Sequence, residues 1–396
     1  MYSVNYADNQ SHQTELEQSF RFVFRVAQLF GSAPYLSESP YSVAPPNRNK
    51  IREGCFKVLL AVWVSLLYFA HWFCAVRITK VLLRKDLPVF TFILYNMEMV
   101  TSLMNLSLIF FGCRYLSAKY EEFWNRTLDL TSDLKPFGGD LIYQSPARQH
   151  KAIVSVTTVL FLVATFCDFS STATPIDSLI SAGAYILPHW VLVIALTQYN
   201  FLVSLIREVL KCANDAVKSI TFNQSAIGPN LRLLAMLHRK IVTINYLVYD
   251  ISKVFGYLFL SAVISMICVT SVQLLEAYQF SRRSRISYQD GLYFLYTMIW
   301  ITMQFSQAML FLLPNDMVKY EMNIIGLNLC QLDRAPFMKL MVKFSDLILI
   351  GKGHLFSGGM IQLDRTILVP ITGALTTFVV LMIQYDNGGY RILQID

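Results

Sequence analysis

Charge is what this sequence has least of. Of 396 residues, 15% are Asp, Glu, Lys or Arg and 55% are hydrophobic, where soluble domains carry roughly 25% charged residues. That deficit argues against a soluble fold and for a polytopic membrane protein. Catalytic motifs are missing as well. The six His are dispersed, and neither HExxH nor GxSxG occurs, so no catalytic residue, no metal and no cofactor is expected, and the chain does not read as an enzyme. The seven Cys (55, 74, 113, 167, 212, 268 and 330) form no CxxC pair. Most lie in or beside apolar segments, where a free thiol behaves as a small hydrophobe, so no disulfide framework is expected. A secretory leader is not evident either. Residues 1–19 are polar and mildly acidic, so insertion is expected to begin at the first spanning helix.

What the chain does have is seven apolar segments, at about 55–76, 89–111, 152–169, 178–206, 254–275, 292–313 and 366–385. About 20 apolar residues cross a ~30 Å hydrocarbon core as a helix, so the fold class expected is all-α, with seven transmembrane helices. Residues 1–53 form a polar amino-terminal region. Within it, 20–30 (FRFVFRVAQLF) reads as a short interfacial helix, followed by a Pro/Ser-rich link through Pro45 and Pro46. Residues 54–313 hold the first six spans, the fourth of them long and containing Pro188. The charged stretch 207–253 keeps a helical pattern, so helices four to six are expected to run on beyond the membrane. In 314–365, Leu340, Met341, Phe344, Leu347 and Ile348 mark an apolar helix face opposite Lys339, Lys343 and Asp346. Gly351, Gly353, Gly358 and Gly359 are expected to break that helix. It fits either a helix lying on the membrane surface or one packed on other helices.

Seven spans put the termini on opposite sides, and Lys and Arg decide which. With the amino terminus inside, only Arg77, Lys80, Arg84, Lys85, Arg282, Arg283, Arg285 and Arg391 fall outside, leaving 25 of the 33 basic residues on the cytoplasmic side. The net charge of +7 is thus a matter of topology rather than of nucleic-acid affinity. The expectation is N-in, C-out. G-protein-coupled receptors have the opposite orientation, and their usual Asp-Arg-Tyr and Asn-Pro-x-x-Tyr are absent, since the third span ends TFCDFSS. A secondary transporter is disfavoured by the odd span count and the lack of a visible repeat.

The last span, TILVPITGALTTFVVLMIQY, carries no charge. Gly373, Thr377, Val380 and Gln384 share one small, polar helix face, while Leu368, Leu375, Val379 and Met382 are apolar. Such a stripe serves close helix packing or lines water in a pore; the residues alone favour packing. For Gln384 a place at the headgroup boundary is an equal reading.

Thr377, Phe378, five apolar residues, then Gln384 and Tyr385 resemble the Thr-Tyr-(five hydrophobic)-Gln-Phe signature of the insect gustatory receptors. The preceding FSGGMIQLDRTILVPITGAL resembles that family's approach to its last helix. Phe378 and Tyr385 each depart from the pattern by one hydroxyl. The resemblance implies a tetrameric cation channel in the plasma membrane, homomeric or shared with other gustatory receptor subunits. It implies a split seventh helix: a cytoplasmic half at 337–350 in an anchor domain (314–365), a pore half at 366–385, and an external tail at 386–396. It places the pore and gate at Gln384, Val380, Thr377 and Tyr385, with Asp386 and Asp396 near the mouth or merely solvated. An odorant receptor subunit of the same superfamily is the nearest alternative.

The outer halves of spans two to six are unusually polar: Tyr95, Asn96, Glu98, Asp168, Asp177, His189, Trp190, Gln273, Glu276, Tyr288, Asp290, Tyr293, Tyr296 and Trp300. Singly, each fits an interfacial belt. Together they suggest an outward-facing small-molecule pocket, with Trp190, His189, Tyr293, Tyr296, Trp300, Glu98 and Tyr95 as ligand contacts. Sugars would use ring faces and hydrogen bonds, amine-bearing bitter compounds carboxylates and cation–π contact, so either class of tastant fits. Binding would open the pore only through a higher affinity for the open state.

Two outcomes follow for intact cells. An amino-terminal epitope is expected to be inaccessible to antibody and a carboxy-terminal one accessible. Glycosidase is expected to leave mobility unchanged, because the sequons at Asn9, Asn125 and Asn223 face the cytoplasm and Asn105 lies in a span. Amino-terminal labelling without permeabilisation would reverse the orientation.

Overall fold

The computed structural model describes residues 22–33, 50–83, 89–115, 119, 122–123, 126–127, 129–130, 141–171, 174–222, 227–282, 287–332, 335–354 and 365–392. These are helical almost throughout, with no strand among them, and seven helices are long and apolar enough to cross a membrane. In chain order they are a short α1 (22–29), α2 (Lys50–Leu83), α3 (Val89–Tyr115), α4 (Leu141–Ser171), α5 (Pro175–Ser181), a π turn (Ala182–Ile186), α6 (Leu187–Phe222), α7 (Ile227–Ser281), α8 (Tyr288–Leu329), α9 (Ala335–His354) and α10 (Leu368–Ile392). At 1.5 Å per residue, α7 is about 80 Å long and α8 about 60 Å. Both far exceed a bilayer core.

The spine is α6. From Val191 to Ile206 every residue is buried, because this helix is apolar on all sides and other helices close round it. α6 packs most extensively on α8, and α7, α8 and α4 complete the core. α2 and α10 lie at the periphery, with the smallest buried shares among the helices that bound the bundle.

Pro314 sits inside α8, and the helix runs on past the span end at 313 to Leu329. Proline lacks an N–H, which orphans the carbonyl four residues back. Here that carbonyl is Leu310 O, and Asn200 of α6 donates to it through Nδ2 at 3.0 Å. The neighbouring Tyr199 hydroxyl donates to Asn315 Oδ1 at 2.6 Å, and Asn315 Nδ2 donates to Phe311 O at 3.0 Å. The freed backbone group is thus satisfied by a buried polar clasp between α6 and α8, as apolar surroundings require.

Pro188 acts similarly in the fourth span. Leu187 N–H reaches back five residues to Ala182 O, which defines the π turn and leaves Gly183 O free. His71 Nδ1 of α2 donates to that oxygen at 3.0 Å. Gly183 is required there: a Cβ would lie 2.7 Å from Cys74 Sγ.

α1 does form where an amphipathic helix was expected, but protein covers its apolar face, with Val23 and Ala27 buried. It ends at Gly31, whose φ of 68° is left-handed. The carbonyls beyond are claimed by three helices. Trp63 Nε1 donates to Leu29 O at 2.9 Å, while Cys113 Sγ and Gln198 Nε2 each donate to Ser32 O at 2.9 Å.

α9 packs on α7 and α8. Phe337 and Phe344 are buried, Phe344 edge-on to His238 with centroids 5.0 Å apart, and Lys339, Lys343 and Asp346 are exposed. Phe337, Leu340, Met341 and Phe344 thus pack on other helices, and the side chains of Leu347 and Ile348 lie outside what is described. The helix also runs through Gly351 and Gly353 to His354, so these glycines do not break it. Gly358 and Gly359, like Pro45 and Pro46, lie outside the described residues.

Removing the Asn200 amide is expected to leave Leu310 O unsatisfied and to lower stability by about 1–3 kcal/mol. Asn200→Leu is expected to cost less in a Pro314→Ala background, where residue 314 regains its own donor. Thermal unfolding of the purified protein in detergent measures both. Equal losses in the two backgrounds would dissociate Asn200 from the proline.

Candidate functional site

The α8 residues Tyr293, Tyr296, Trp300, Gln304 and Gln307 recur at spacings of three and four, so they share one face. That face looks into the bundle: Tyr296, Trp300, Gln304 and Gln307 are all buried. The rings touch in series. Tyr293 stacks on Tyr296 with centroids 6.0 Å apart, and Tyr296 meets Trp300 edge-on at 6.1 Å. Trp300 meets His189 at 5.0 Å and Phe161 at 6.4 Å. Phe161 stacks on Trp190 at 5.6 Å, and Trp190 meets Phe30 at the end of α1 at 5.1 Å.

Two polar ends bracket this aromatic series. At one end, near the start of α3 and the junction of α7 and α8, the Tyr95 hydroxyl donates to Glu276 Oε1. Tyr293 lies against the same carboxylate. Glu98, one turn along α3 from Tyr95, is 4% exposed and close enough to Glu276 for their charges to interact. At the other end Gln304 Nε2 donates to His189 Nδ1 at 3.4 Å. With Nδ1 accepting, His189 Nε2 carries the ring proton. That atom, Gln304 Oε1 and both amide atoms of Gln307 have no hydrogen-bond partner among the described residues. Buried polar atoms are seldom left so.

All seven residues expected as ligand contacts, Tyr95, Glu98, His189, Trp190, Tyr293, Tyr296 and Trp300, therefore join one connected network. Asp168 flanks it, accepting from Ser178 Oγ at 3.2 Å and lying near Tyr296. Other polar residues of these spans do local work instead. Asp290 and Ser287 form a reciprocal cap at the start of α8, Asp177 caps α5 with Thr174, Asn96 donates to Phe92 O, and Tyr288 is 83% exposed. The sequence reading missed His71, Phe161, Tyr185, Gln304 and Gln307. The two Gln were detectable, being polar and in helical register with Trp300. Tyr185 was not, because its place depends on the π turn. Among the described residues a small apolar pocket of about 10 Å³ lies between α1, α2, α3 and α6, too small for an organic ligand.

In α10, Ile371, Leu375 and Met382 are buried, while Gly373, Thr377, Val380 and Gln384 are exposed. The small polar stripe therefore faces away from this chain's own helices, and the packing role favoured for it is not performed within the subunit. The Thr372, Thr376 and Thr377 hydroxyls donate to carbonyls four residues back at 2.7, 2.8 and 2.9 Å, which leaves the stripe smooth. The opposite face seats on α3 and α7, where Met382 joins Leu94, Val272 and Leu275. Arg365, just before α10, pairs with Asp316 of α8. The side chain of Tyr385, Asp386 and Asp396 lie outside what is described.

A family model described as 7tm Chemosensory receptor matches residues 20–387. No curated protein matches the chain. Among solved structures, the insect olfactory receptor OR5 from Machilis hrabei aligns with a TM-score of 0.67 at 12% identity, over 93% of this chain and 98% of that one. The same receptor in complex with eugenol aligns with a TM-score of 0.63 at 11% identity, over 94% and 100%. At such identities the likeness is one of fold.

Proposed function

We propose that this chain, which belongs to the 7tm chemosensory receptor family, is a gustatory receptor subunit that opens a cation-conducting pore when a tastant binds. The family is one of receptors rather than enzymes, and the chain is a multi-pass membrane protein. We place it in the plasma membrane, amino terminus inside, with residues 314–365 as the cytoplasmic anchor.

The observation that carries the channel reading is the exposed stripe of α10. A spanning helix that buries one face on its own subunit and leaves Gly373, Thr377, Val380 and Gln384 uncovered fits a symmetric assembly whose copies surround water. Four such helices would bring the Gln384 amides into a ring, with Val380 one turn below as an apolar constriction able to gate by dewetting. The aromatic network between α3, α4, α6, α7 and α8 is the ligand site of this reading. It lies beside α10 through the Leu94–Leu275–Met382 contact. In the solved olfactory receptor a receptor of this fold holds a small aromatic molecule, eugenol, which supports small-molecule binding here. The gustatory assignment over the odorant one rests on the run from Thr377 to Tyr385.

Whole-cell recording from cells expressing the chain, across sugars and alkaloids, tests this. A fast cation current independent of G proteins is expected, and Gln384→Ala is expected to alter its selectivity or gating. No ligand-evoked current from a surface-expressed chain, alone or with other gustatory receptor subunits, would sink the channel reading.

A further inference from the structure

Glu98 and Glu276 are neighbouring carboxylates in membrane-spanning helices, and among the described residues neither has a counter-charge. Among the described residues Glu98 makes no ion pair and no hydrogen bond while 4% exposed, and Glu276 makes no ion pair, meeting only the hydroxyls of Tyr95 and Tyr293. Carboxylates at membrane depth are expensive without a partner of opposite sign. Two side by side repel unless a proton or another positive charge comes between them. The groups around them are Tyr95, Tyr185, Tyr293 and Tyr296, whose ring faces attract a cation.

The unsatisfied polar atoms at the other end of the network are a separate observation. Gln304 lies 11 residues along α8 from Tyr293, about 16 Å. His189 and Gln304 are both 0% exposed, yet His189 Nε2 and Gln304 Oε1 have no partner among the described residues. The site thus has an anionic end, an aromatic middle and an end with one unused donor and one unused acceptor.

We infer that this site takes a protonated organic amine with an aromatic body, its ammonium group between Glu98 and Glu276 and its ring among Tyr293, Tyr296 and Trp300, on the side toward His189 and Gln304. The inference deepens the receptor reading and rests on it. A neutral sugar brings no charge to the pair, which then depends on a bound proton rather than an ionic partner. A divalent metal ion lacks ligands, since calcium takes six to eight oxygens and no group of three or more His, Cys, Asp or Glu among the described residues could hold a metal. The anionic end also touches the proposed pore helix. Tyr95 follows Leu94 and Glu276 follows Leu275, the two residues that seat Met382 of α10. Drawing the carboxylates together around an ammonium would therefore shift the seat of α10.

The test uses the purified full-length chain in lipid nanodiscs and a matched pair of probes, tryptamine and its neutral isostere tryptophol. Tryptamine is expected to raise the unfolding temperature and tryptophol to leave it unchanged. Glu98→Gln and Glu276→Gln, which keep shape and remove charge, are each expected to weaken tryptamine at least about tenfold, as loss of one partner of a buried charge pair does. Equal stabilisation by tryptophol, or tryptamine affinity unchanged in both variants, overturns the inference. Stabilisation by calcium chloride alone that Glu98→Gln abolishes also overturns it, in favour of an inorganic ion. If both variants fail to fold, the probe pair on the unaltered protein still decides. Whole-cell currents separate this inference from the channel reading. Tryptamine binding without current from any compound removes only the channel, whereas currents evoked by neutral tastants without tryptamine binding remove only the amine.

Discussion

One backbone carbonyl and the side chain that answers it hold the centre of this bundle together. Pro314 strips Leu310 O of its helical donor, and Asn200 supplies another from the most buried helix of the chain. Because the bond crosses from α6 to α8, it fixes the register of those two helices as well as satisfying the group. Everything functional hangs from that register. The face of α8 that carries Tyr293 to Gln307 meets His189 and Trp190 of α6 only if the two helices neither slide nor rotate. The Tyr199–Asn315 bond, next to Asn200 on one helix and to Pro314 on the other, reinforces the same alignment.

The device recurs at Pro188. There the disturbed helix is α6 itself, the freed carbonyl is Gly183 O, and the donor is His71 of the peripheral α2. Each proline thus makes a polar joint where lipid-like surroundings would otherwise permit only apolar packing. In such surroundings there is little hydrophobic preference between one helix neighbour and another. Specific polar joints decide which helices touch, and in this chain two of them border the aromatic network.

Much of this was legible in the sequence. Seven apolar runs set the span count, and the loops' basic residues suggested an orientation. The polar outer halves of spans two to six picked out seven residues that do meet. Pairwise facts were not legible. Hydropathy ends span six at 313, and nothing at position 314 announces an amide on another helix. Gly351 and Gly353 read as breakers, yet glycine weakens a helix by only about 1 kcal/mol, and the helix persists through them. The stripe of Gly373, Thr377, Val380 and Gln384 was visible as a stripe, but its direction was not. Periodicity shows which residues share a face; only the packed chain shows that Leu375 and Met382 occupy the inner one.

The seating of α1 has a consequence for how the chain is made. Its terminal carbonyls are held by Trp63, Cys113 and Gln198, which lie on three helices synthesised afterwards. Until residue 198 has emerged and its helix has joined the others, the turn at Gly31 has no complete set of partners. An element made before all three of its partners therefore waits for them to find its place. During that interval its apolar side, with Val23, Ala27 and Phe30, has no protein to cover it, and the lipid surface is the refuge on hand.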